Sequence, residues 1–505
     1  MSVEESREGR SDYLSILSGT TQNVAGIVVA GLATFAAQIL ITRVLGATEF
    51  GMITVATQAA FVASFATRAG MDMAVLRNVA VDVGEGRPQR IRATVGRALV
   101  IAAAVSVAVA AVAAVLSGPV ARVFSFDPEI GRWVVPAAAV GLPFLAAANV
   151  WLAATRGLKI MRYTLYVFWA GQPTLWIVLM ITGWQLSRSA WMTTLAYSLS
   201  WTVAALAAWW FWRRESSRWE RAPLEEGALA RLVRYAGPRA PAALFSQLLF
   251  WTDLFVLTRY ATDAQVGVYS AALRTGQIVV LFLTSVNLMF SPFVADLHNR
   301  GETARLDKLF KTVTRWTLAA TIPMFVLLFV APQAFLRLFG SEFAGGESAL
   351  LILLAGQLVN IGTGSAGFVL IMTGYTGWDL VVYAGSLALD LVLAFWLCPR
   401  YGIEGAAIAN AATFAVSNCA RLALVKRLVG IQPYDGNYLR LVAPAAVTAA
   451  AMWAVHRFVA GSWTYDLVLT AVLGAAVYAV VYLVVGLAPA ERRAAAGVLA
   501  RIKAR

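Results

Sequence analysis

Long apolar runs separated by short polar and basic segments dominate this chain of 505 residues. A helix that crosses a bilayer needs about 20 mostly apolar residues. Scanning with that window predicts an all-α polytopic membrane protein with fourteen transmembrane helices. They fall near residues 20–42, 50–67, 98–117, 133–154, 163–183, 190–212, 238–258, 264–292, 316–334, 348–372, 379–397, 403–425, 439–459 and 464–487.

Lys and Arg residues are unevenly distributed among the segments that connect these helices. Connections on the cytoplasmic side of a membrane protein carry an excess of both residues. With the N-terminus inside, 32 of the 41 Lys and Arg residues, Arg68 and Arg421 among them, fall in predicted cytoplasmic segments or at the helix ends beside them, eight fall outside and Arg274 falls within a helix. We therefore predict a multi-pass cell-membrane protein with both termini in the cytoplasm.

The longest basic connection, residues 213–239, lies between predicted helices six and seven. It divides the chain into a cytoplasmic tail (1–19), an N-lobe (20–235), a C-lobe (236–430) and a C-terminal part (431–505) with helices thirteen and fourteen and a basic tail. Each lobe has six helices, so both enter the membrane in the same orientation. Parallel repeats of this kind recur in secondary transporters, whose substrate sites lie between the repeats.

A short sequence repeat supports this division. The stretch TRVLGATEFG begins at residue 42 and TRYATDAQVG begins at residue 258, each at the end of the first helix of its lobe. Four identities recur at an offset of 216 positions: Thr42, Arg43, Gly51 and Ala56 match Thr258, Arg259, Gly267 and Ala272. Their equivalent topological positions indicate that the two lobes are repeats of one unit.

Three segments resemble patterns of the bacterial and archaeal polysaccharide flippases, whose superfamily also contains multidrug and toxic compound extruders. The segments begin at residues 42, 251 and 399 and read TRVLGATEFGMITVATQ, WTDLFVLTRYATDAQVGVYSAALRTGQ and PRYGIEGAAIANAATF. The resemblance covers about residues 20–430, and helices thirteen and fourteen fit the larger members. One departure is Arg68, since many relatives carry an acidic residue there.

The resemblance implies a V-shaped transporter of two six-helix lobes around a cationic cavity. It also implies the activity: moving polyprenyl-diphosphate-linked oligosaccharides, such as polysaccharide or O-antigen repeat units, from the cytoplasmic to the outer leaflet. The implied partners are this anionic lipid-linked glycan, membrane lipids, and a glycan polymerase or glycosyltransferases. The departure at Arg68 bears on the charge of the substrate or on the coupling ion.

Arg274 is the most informative charged residue. It lies ten residues into a helix predicted to begin near residue 264, about 15 Å deep at 1.5 Å per residue. An arginine facing lipid there costs at least ~2.5 kcal/mol. Gln277 shares its helix face at i+3. We therefore predict that Arg274 and Gln277 line a polar, substrate-binding cavity, with a structural ion pair as the alternative for Arg274.

Asp253 and Asp390 are carboxylates within predicted helices seven and eleven. Asp253 could pair with Arg274, bind a coupling proton or sodium ion, or extend to the outer interface. Asp390, midway along its helix, is a second candidate ion carrier. We assign both as candidate ion-coupling residues.

Arg43 and Arg259 end their helices on the predicted outer side, and Arg68 ends helix two on the inner side. Interfacial anchoring accounts for such arginines. The alternative is phosphate capture, because arginine binds phosphate with two parallel hydrogen bonds and the repeat places Arg43 and Arg259 at equivalent points. All three are candidate substrate-binding residues.

The remaining composition argues against other classes. The net charge of +14 lies in topology-setting segments and does not indicate nucleic-acid binding. Two cysteines and two histidines lack metal-ligand spacing, and no phosphate-binding loop of the nucleotide type is present. We expect no enzyme, metal or cofactor, with energy from a proton or sodium gradient or the membrane potential. A flippase is the favoured function, with a multidrug cation antiporter or a non-transporting scaffold for glycan assembly as alternatives.

Overall fold

Every regular element in the described part of the computed structural model, residues 3–219, 227–458 and 462–488, is helical. The first ten α-helices are α1 (Val3–Thr67), α2 (Met71–Gly84), α3 (Ile91–Val115), α4 (Ser117–Val123), α5 (Pro128–Ala139), α6 (Gly141–Gly157), α7 (Arg162–Thr164), α8 (Gln172–Gly183), α9 (Ala190–Ser216) and α10 (Ala228–Leu248). The others are α11 (Thr252–Leu257), α12 (Asp263–Ile278), α13 (Val280–Asn299), α14 (Thr303–Val330), α15 (Pro332–Leu336), α16 (Glu347–Gly362), α17 (Ala366–Met372), α18 (Thr376–Leu428), α19 (Val442–Phe458) and α20 (Trp463–Val481).

Nine helical segments within these described ranges are long and apolar enough to cross a membrane. They are Gly31–Thr67, Pro88–Val115, Pro128–Gly157, Arg162–Gly183, Thr303–Val330, Ser341–Gly362, Thr376–Leu428, Gly436–Phe458 and Trp463–Gly486. In the most apolar stretch of 18 residues within Pro88–Val115, the mean hydropathy is 2.7 and only 17% of the stretch is buried, as expected for a lipid-facing helix. The chain is therefore a polytopic membrane protein, and the count of fourteen spans stays a prediction.

Two of the long helices contain a glycine kink where the sequence predicts a connecting loop. Gly46 within α1 has φ 76° and ψ −177°, and Gly402 within α18 has φ 54° and ψ −124°. Both values of φ lie in a region that residues with a side chain rarely adopt. The predicted loops 43–49 and 398–402 are thus replaced by single-residue breaks, because glycine can redirect the chain without ending the hydrogen-bonded helix on either side.

The chain forms two compact units. One comprises residues 1–270 and 383–409, and its core lies where α2, α3, α6 and α10 meet, around Val75, Val95 and Ala153. The other comprises residues 271–382 and 410–505, and its core joins α13, α14, α17 and the end of α18 around Phe290, Phe310 and Val369. The predicted lobe boundary near residue 235 stays a prediction.

The last two long helices pack within the second unit. Gly474 of α20 lies against Met452 of α19 so closely that a Cβ there would overlap the methionine side chain. The hydroxyl of Tyr478 donates a hydrogen bond to the carbonyl of Ala319 in α14 at 2.5 Å. A small residue lets the helix pair approach, and a buried hydroxyl is satisfied by a neighbouring backbone oxygen.

Candidate functional site

The two copies of the sequence repeat contact each other. A Cβ added at Gly51 in α1 would overlap the carbonyl oxygen of Asp263, and one added at Gly267 in α12 would overlap the carbonyl oxygen of Ala47. Asp263 and Ala47 are themselves equivalent at the offset of 216. The contact is therefore reciprocal, as in an interface with two-fold symmetry.

This crossing explains why glycine recurs in both copies. In each copy of the repeat, the glycine lies four positions after the residue whose carbonyl makes the contact. The pairs are Ala47 with Gly51 and Asp263 with Gly267, and each pair lies on one helix face. Helices in membranes approach closely where such positions are small. The repeat thus places the part of α1 that follows the Gly46 kink in backbone contact with the beginning of α12.

The residues beside this crossing have the same hydrogen bonds and the same burial in both copies of the repeat. The hydroxyl of Thr42 donates to the carbonyl of Ile39 at 2.9 Å, and that of Thr258 donates to the carbonyl of Phe255 at 2.7 Å. Both threonines are buried, while Arg43 and Arg259, which follow them, are exposed. The structure therefore gives these two predicted substrate-binding arginines equivalent surroundings at the same end of the first unit.

Asp263 adds a titratable group to this end of the unit. Its carboxylate accepts a hydrogen bond from the backbone N–H of Asp127 at 3.2 Å. Burial raises the pKa of the Asp263 carboxyl to about 6, while that hydrogen bond opposes the rise. Asp127 also caps α5, since its side chain accepts from the N–H groups of Glu129 and Ile130.

The two predicted ion-coupling carboxylates converge within the first unit. Asp253 is 0% exposed and Asp390 is 1% exposed. The hydroxyl of Tyr269 in α12 donates a hydrogen bond to Asp253, and Tyr269 also lies within electrostatic range of Asp390. The thiol of Cys398 interacts electrostatically with both aspartates. We call Asp253, Asp390, Tyr269 and Cys398 the carboxylate cluster.

Beside this cluster lies a cavity of about 750 Å³, which we call the α4–α11 cavity. Of its twelve lining residues, eight are apolar, two are the arginines Arg122 and Arg259, and none is acidic. Thr252 and Leu391 line it and immediately precede and follow the cluster aspartates Asp253 and Asp390 in sequence. The cavity thus combines an apolar wall with two cationic groups.

Arg68 is the candidate substrate-binding residue at the inner end of predicted helix two. It lies in the turn between α1 and α2 and is only 3% exposed. Its guanidinium donates to the Ser64 carbonyl at 2.9 Å, pairs with Asp72 at 3.0 Å and stacks over the ring of Phe65 at 4.1 Å. Arg156 interacts electrostatically with both Arg68 and Asp72. The neighbourhood carries two cations and one anion, and a role for Arg68 in substrate capture stays a prediction.

Arg274 and Gln277 lie in the last turn and a half of α12, and both side chains are half-buried. Arg274 is eleven residues from the beginning of the helix at Asp263, which places it about 16 Å along its axis. Val279 separates α12 from α13 directly after them. Both side chains therefore lie beside a break in the helix, partly accessible from outside the protein.

A second charged pair, which the sequence analysis did not single out, is buried in the other unit. Arg421 near the end of α18 pairs with Asp379 near its beginning at 3.0 Å, with side chains 8% and 9% exposed. Arg421 also donates to the hydroxyl of Ser417 at 2.8 Å. The pair joins two distant parts of α18, and the topology count had treated Arg421 only as a cytoplasmic charge.

Replacing Asp379 with Ala is expected to destabilise the protein by about 3–5 kcal/mol, because it leaves the Arg421 charge buried without its carboxylate. The double replacement Asp379→Leu with Arg421→Met should recover most of that loss. Chemical denaturation in detergent micelles measures both. As a control, Glu302→Ala breaks the exposed pair with Arg305 and should cost no more than about 1 kcal/mol. An equal loss in the control and in Asp379→Ala would contradict this account.

Tyr269 and Arg122 are the functional candidates that sequence reasoning missed. Tyr269 sits 16 residues beyond Asp253, and only the packing of α12 on α11 brings their side chains together. Arg122 lies in the short helix α4, which reads as an ordinary external connection. A polar aromatic residue within an apolar helix was the available signal for Tyr269. Within the described ranges, no group of three His, Cys, Asp or Glu side chains could hold a metal ion.

Helices that cross a membrane, with buried carboxylates and arginines between them, define a polytopic transporter-like protein. The profile of the polysaccharide biosynthesis protein family matches residues 16–298, and a profile described as MatE matches residues 238–396. The first match covers more than half of the chain. The chain therefore belongs to the polysaccharide biosynthesis protein family, within the superfamily that also contains multidrug and toxic compound extruders.

Individual relatives agree with this family. The probable low-salt glycan biosynthesis flippase Agl15 of Haloferax volcanii is 27% identical over 206 residues, which cover 40% of this chain and 43% of that protein. The uncharacterized membrane protein YabM of Bacillus subtilis is 23% identical over 44% of this chain and 42% of its own length. The matched part thus spans less than half of either curated relative.

A solved structure shares the fold over nearly the whole chain. The lipid II flippase MurJ in an inward closed conformation superposes with a TM-score of 0.71 and 13% identity, covering 92% of this chain and 98% of its own. At this identity the similarity concerns the fold alone.

Proposed function

We propose that the protein is a flippase that moves polyprenyl-diphosphate-linked oligosaccharides from the cytoplasmic to the outer leaflet. It would work by alternating access between two six-helix lobes, with fourteen transmembrane helices and both termini in the cytoplasm. Support comes from membership in the polysaccharide biosynthesis family and from the similarity to an archaeal relative described as a probable glycan biosynthesis flippase. The observation that carries the proposal is the half-buried Arg274, in the last turn and a half of α12 of a member of this family.

The anionic head explains why the protein would place arginines along its path. Arg274 and Gln277 would bind the diphosphate-sugar head within the membrane, Arg68 would take part at the cytoplasmic end, and Arg43 with Arg259 would bind it at the outer end. Guanidinium groups suit this role because they bind phosphate with two parallel hydrogen bonds and stay charged when buried. Glycosyltransferases and a glycan polymerase would supply and consume the lipid-linked product.

The membrane potential favours export of such a head. With the cytoplasm negative, moving one negative charge outward is downhill by ~2.3 kcal/mol per 100 mV, and a dianionic head gains about twice that. The carboxylate cluster would add an inward flux of protons or sodium ions. A buried carboxylate is costly when charged, so binding a cation at Asp253 or Asp390 removes part of that cost.

The test is a flipping assay in liposomes that contain the purified protein and a fluorescent polyprenyl-diphosphate oligosaccharide. A lectin added outside reports glycans that reach the outer leaflet, and an imposed potassium diffusion potential sets the voltage. We expect protein-dependent flipping that accelerates when the interior is negative. Flipping that persists unchanged after the potential and both ion gradients are collapsed would contradict the energetic account.

Replacing Asp390 with Asn is expected to remove most of the dependence of flipping on the proton or sodium gradient, because Asn has the same shape but carries no charge. Asp253→Asn should do the same and also alter the hydrogen bond from Tyr269. Flipping rates measured with and without each gradient check this. The control is Asp296→Asn, which changes an exposed carboxylate of α13 paired with Arg300. If flipping by the double variant Asp253→Asn with Asp390→Asn still depends on an ion gradient, the carboxylate cluster is not the coupling site.

The second candidate is a multidrug cation antiporter, which the MatE profile and a structural neighbour favour. An inward-facing multidrug resistance transporter of that family superposes with a TM-score of 0.67 and 14% identity, covering 79% of this chain and 94% of its own. Such an antiporter would expel cationic dyes from the same liposomes, whereas a flippase would leave them inside. A non-transporting scaffold would move neither.

A further inference from the structure

The α4–α11 cavity combines Arg259 with an apolar wall and a second arginine, Arg122, that the proposed transport path does not use. It lies at the end of the first unit where α4 and the residues after α11 connect long apolar helices. Arg122 and Arg259 both fall in predicted external connections, where the headgroups of the outer leaflet are expected. The cavity therefore stands where the phosphate of a lipid would meet the protein.

The chemistry of the lining is that of a lipid with an anionic head. Val123, Phe255, Val256, Leu391 and Phe395 provide an apolar wall, and Arg122 with Arg259 provides two exposed guanidinium groups. A volume of about 750 Å³ lies in the range of about 300–1,000 Å³ that is typical of small-molecule sites. This space suits a phosphate and the first part of a tail, with the rest of the tail in the bilayer.

We propose that the α4–α11 cavity binds the phosphate end of a polyprenyl lipid in the outer leaflet, with Arg122 and Arg259 on the phosphate and the apolar wall on the tail. The choice of a polyprenyl lipid rests on the proposed function, because the cargo is the lipid delivered to this leaflet. The cavity is then the first site that the lipid occupies after it has been flipped. Arg122, which belongs to neither copy of the repeat, becomes a binding residue alongside Arg259.

The position of the cavity links lipid release to the carboxylate cluster. Thr252 and Leu391 line the cavity, and their neighbours in sequence, Asp253 and Asp390, belong to the buried carboxylate cluster. A lipid in the cavity would therefore press on the two helix segments that hold the cluster carboxylates. Occupancy of the cavity and of the ion site are expected to influence each other for this reason.

Binding of undecaprenyl phosphate to the full-length protein in phosphatidylcholine nanodiscs tests the proposal. Native mass spectrometry or a fluorescent competitor gives the apparent affinity. Arg122→Gln and Arg259→Gln should each weaken binding about tenfold, and the double variant more, because each removes a charge-assisted contact to phosphate. Leu391→Trp keeps both charges but fills the cavity, and it should weaken binding as well.

Arg132→Gln is the matched control, because Arg132 is an exposed arginine of the same external connection but does not line the cavity. It should bind undecaprenyl phosphate as the unaltered protein does. Equal loss in this control would show a general effect of surface charge and overturn the proposal. Competition by phosphatidylglycerol as strong as that by undecaprenyl phosphate would show a site for anionic lipids in general, and overturn the assigned occupant. If none of the replacements at Arg122, Arg259 and Leu391 changes the affinity for undecaprenyl phosphate, the lipid binds only as ordinary boundary lipid and the proposal is overturned.

The same variants in the flipping assay separate this inference from the proposed function. Arginine-dependent binding by a protein that does not flip the oligosaccharide would support the cavity and reject the flippase. Flipping by a protein whose lipid binding ignores both arginines would support the flippase and reject the cavity.

Discussion

Gly267→Ala is expected to destabilise the protein by about 1–3 kcal/mol, although alanine is the better helix former. The added Cβ would overlap the carbonyl oxygen of Ala47, and backbone cannot move aside as a flexible side chain can. Gly51→Ala should have a similar effect through the carbonyl of Asp263. Thermal or chemical unfolding in detergent, with flipping measured in parallel, checks both.

The control for this prediction lies nine residues further along the same helix. A Cβ at Gly276 would make only an ordinary contact, 3.7 Å from the Leu353 side chain. Gly276→Ala should therefore be neutral or stabilising, by up to about 1 kcal/mol. Equal destabilisation at Gly267 and Gly276 would show a general intolerance of α12 to alanine. The helix crossing would then not be the reason that Gly267→Ala destabilises the protein.

The double variant gives a sharper test, because the two overlaps occur at one crossing. Once Gly51→Ala has separated the helices, Gly267→Ala meets less resistance. The combined loss of stability should fall short of the sum of the single losses, as is usual for residues in contact. Strict additivity would place the two glycines in independent environments.

This crossing also shows what the sequence could and could not predict. The offset of 216 identifies Gly51 and Gly267 as equivalent, and the structure shows that the equivalent segments touch each other. Equivalence alone does not imply contact, because a repeat can place its copies far apart. The reciprocal packing is a property of the tertiary fold, so no local pattern reports it.

The positions of charged residues could also be predicted only in part from the sequence. Apolar flanks place Asp253 and Asp390 within predicted helices, where a carboxylate is rare and costly, and both are buried in the structure. The convergence of both on Tyr269 depends on how α11, α12 and α18 pack, which periodicity does not specify. Arg68 and Arg421 illustrate the opposite case: the charge count assigns each to a polar connection, yet each is buried against a carboxylate.

Helix positions were easier to predict than helix boundaries. Apolar stretches of about 20 residues locate the long helices because the bilayer sets their length. The polar residues around Gly46 and Gly402 suggest loops, and the structure instead has glycine kinks there. Composition does not distinguish these cases, because a single backbone conformation decides whether the chain leaves the helix.

Arg274→Ala is expected to reduce flipping on the order of a hundredfold, which corresponds to the loss of one charge-assisted phosphate contact in a partly buried site. Arg274→Lys should retain part of the activity, because lysine keeps the charge but loses the planar pair of donors. The liposome assay with the lectin readout measures both rates. Arg337→Ala, which removes an arginine of the predicted external segments, is the control.

The pattern among the three variants decides what Arg274 does. If Arg274→Ala flips normally, residues other than Arg274 must hold the diphosphate. If Arg274→Ala and Arg274→Lys are equally inactive and both unfold at lower temperature, Arg274 stabilises an ion pair, which is the alternative left open by the sequence. Only a graded loss, from Arg through Lys to Ala with unchanged unfolding temperature, shows that the guanidinium binds the anionic head during transport, because only a ligand contact depends on the geometry of the donors without changing the stability of the empty protein.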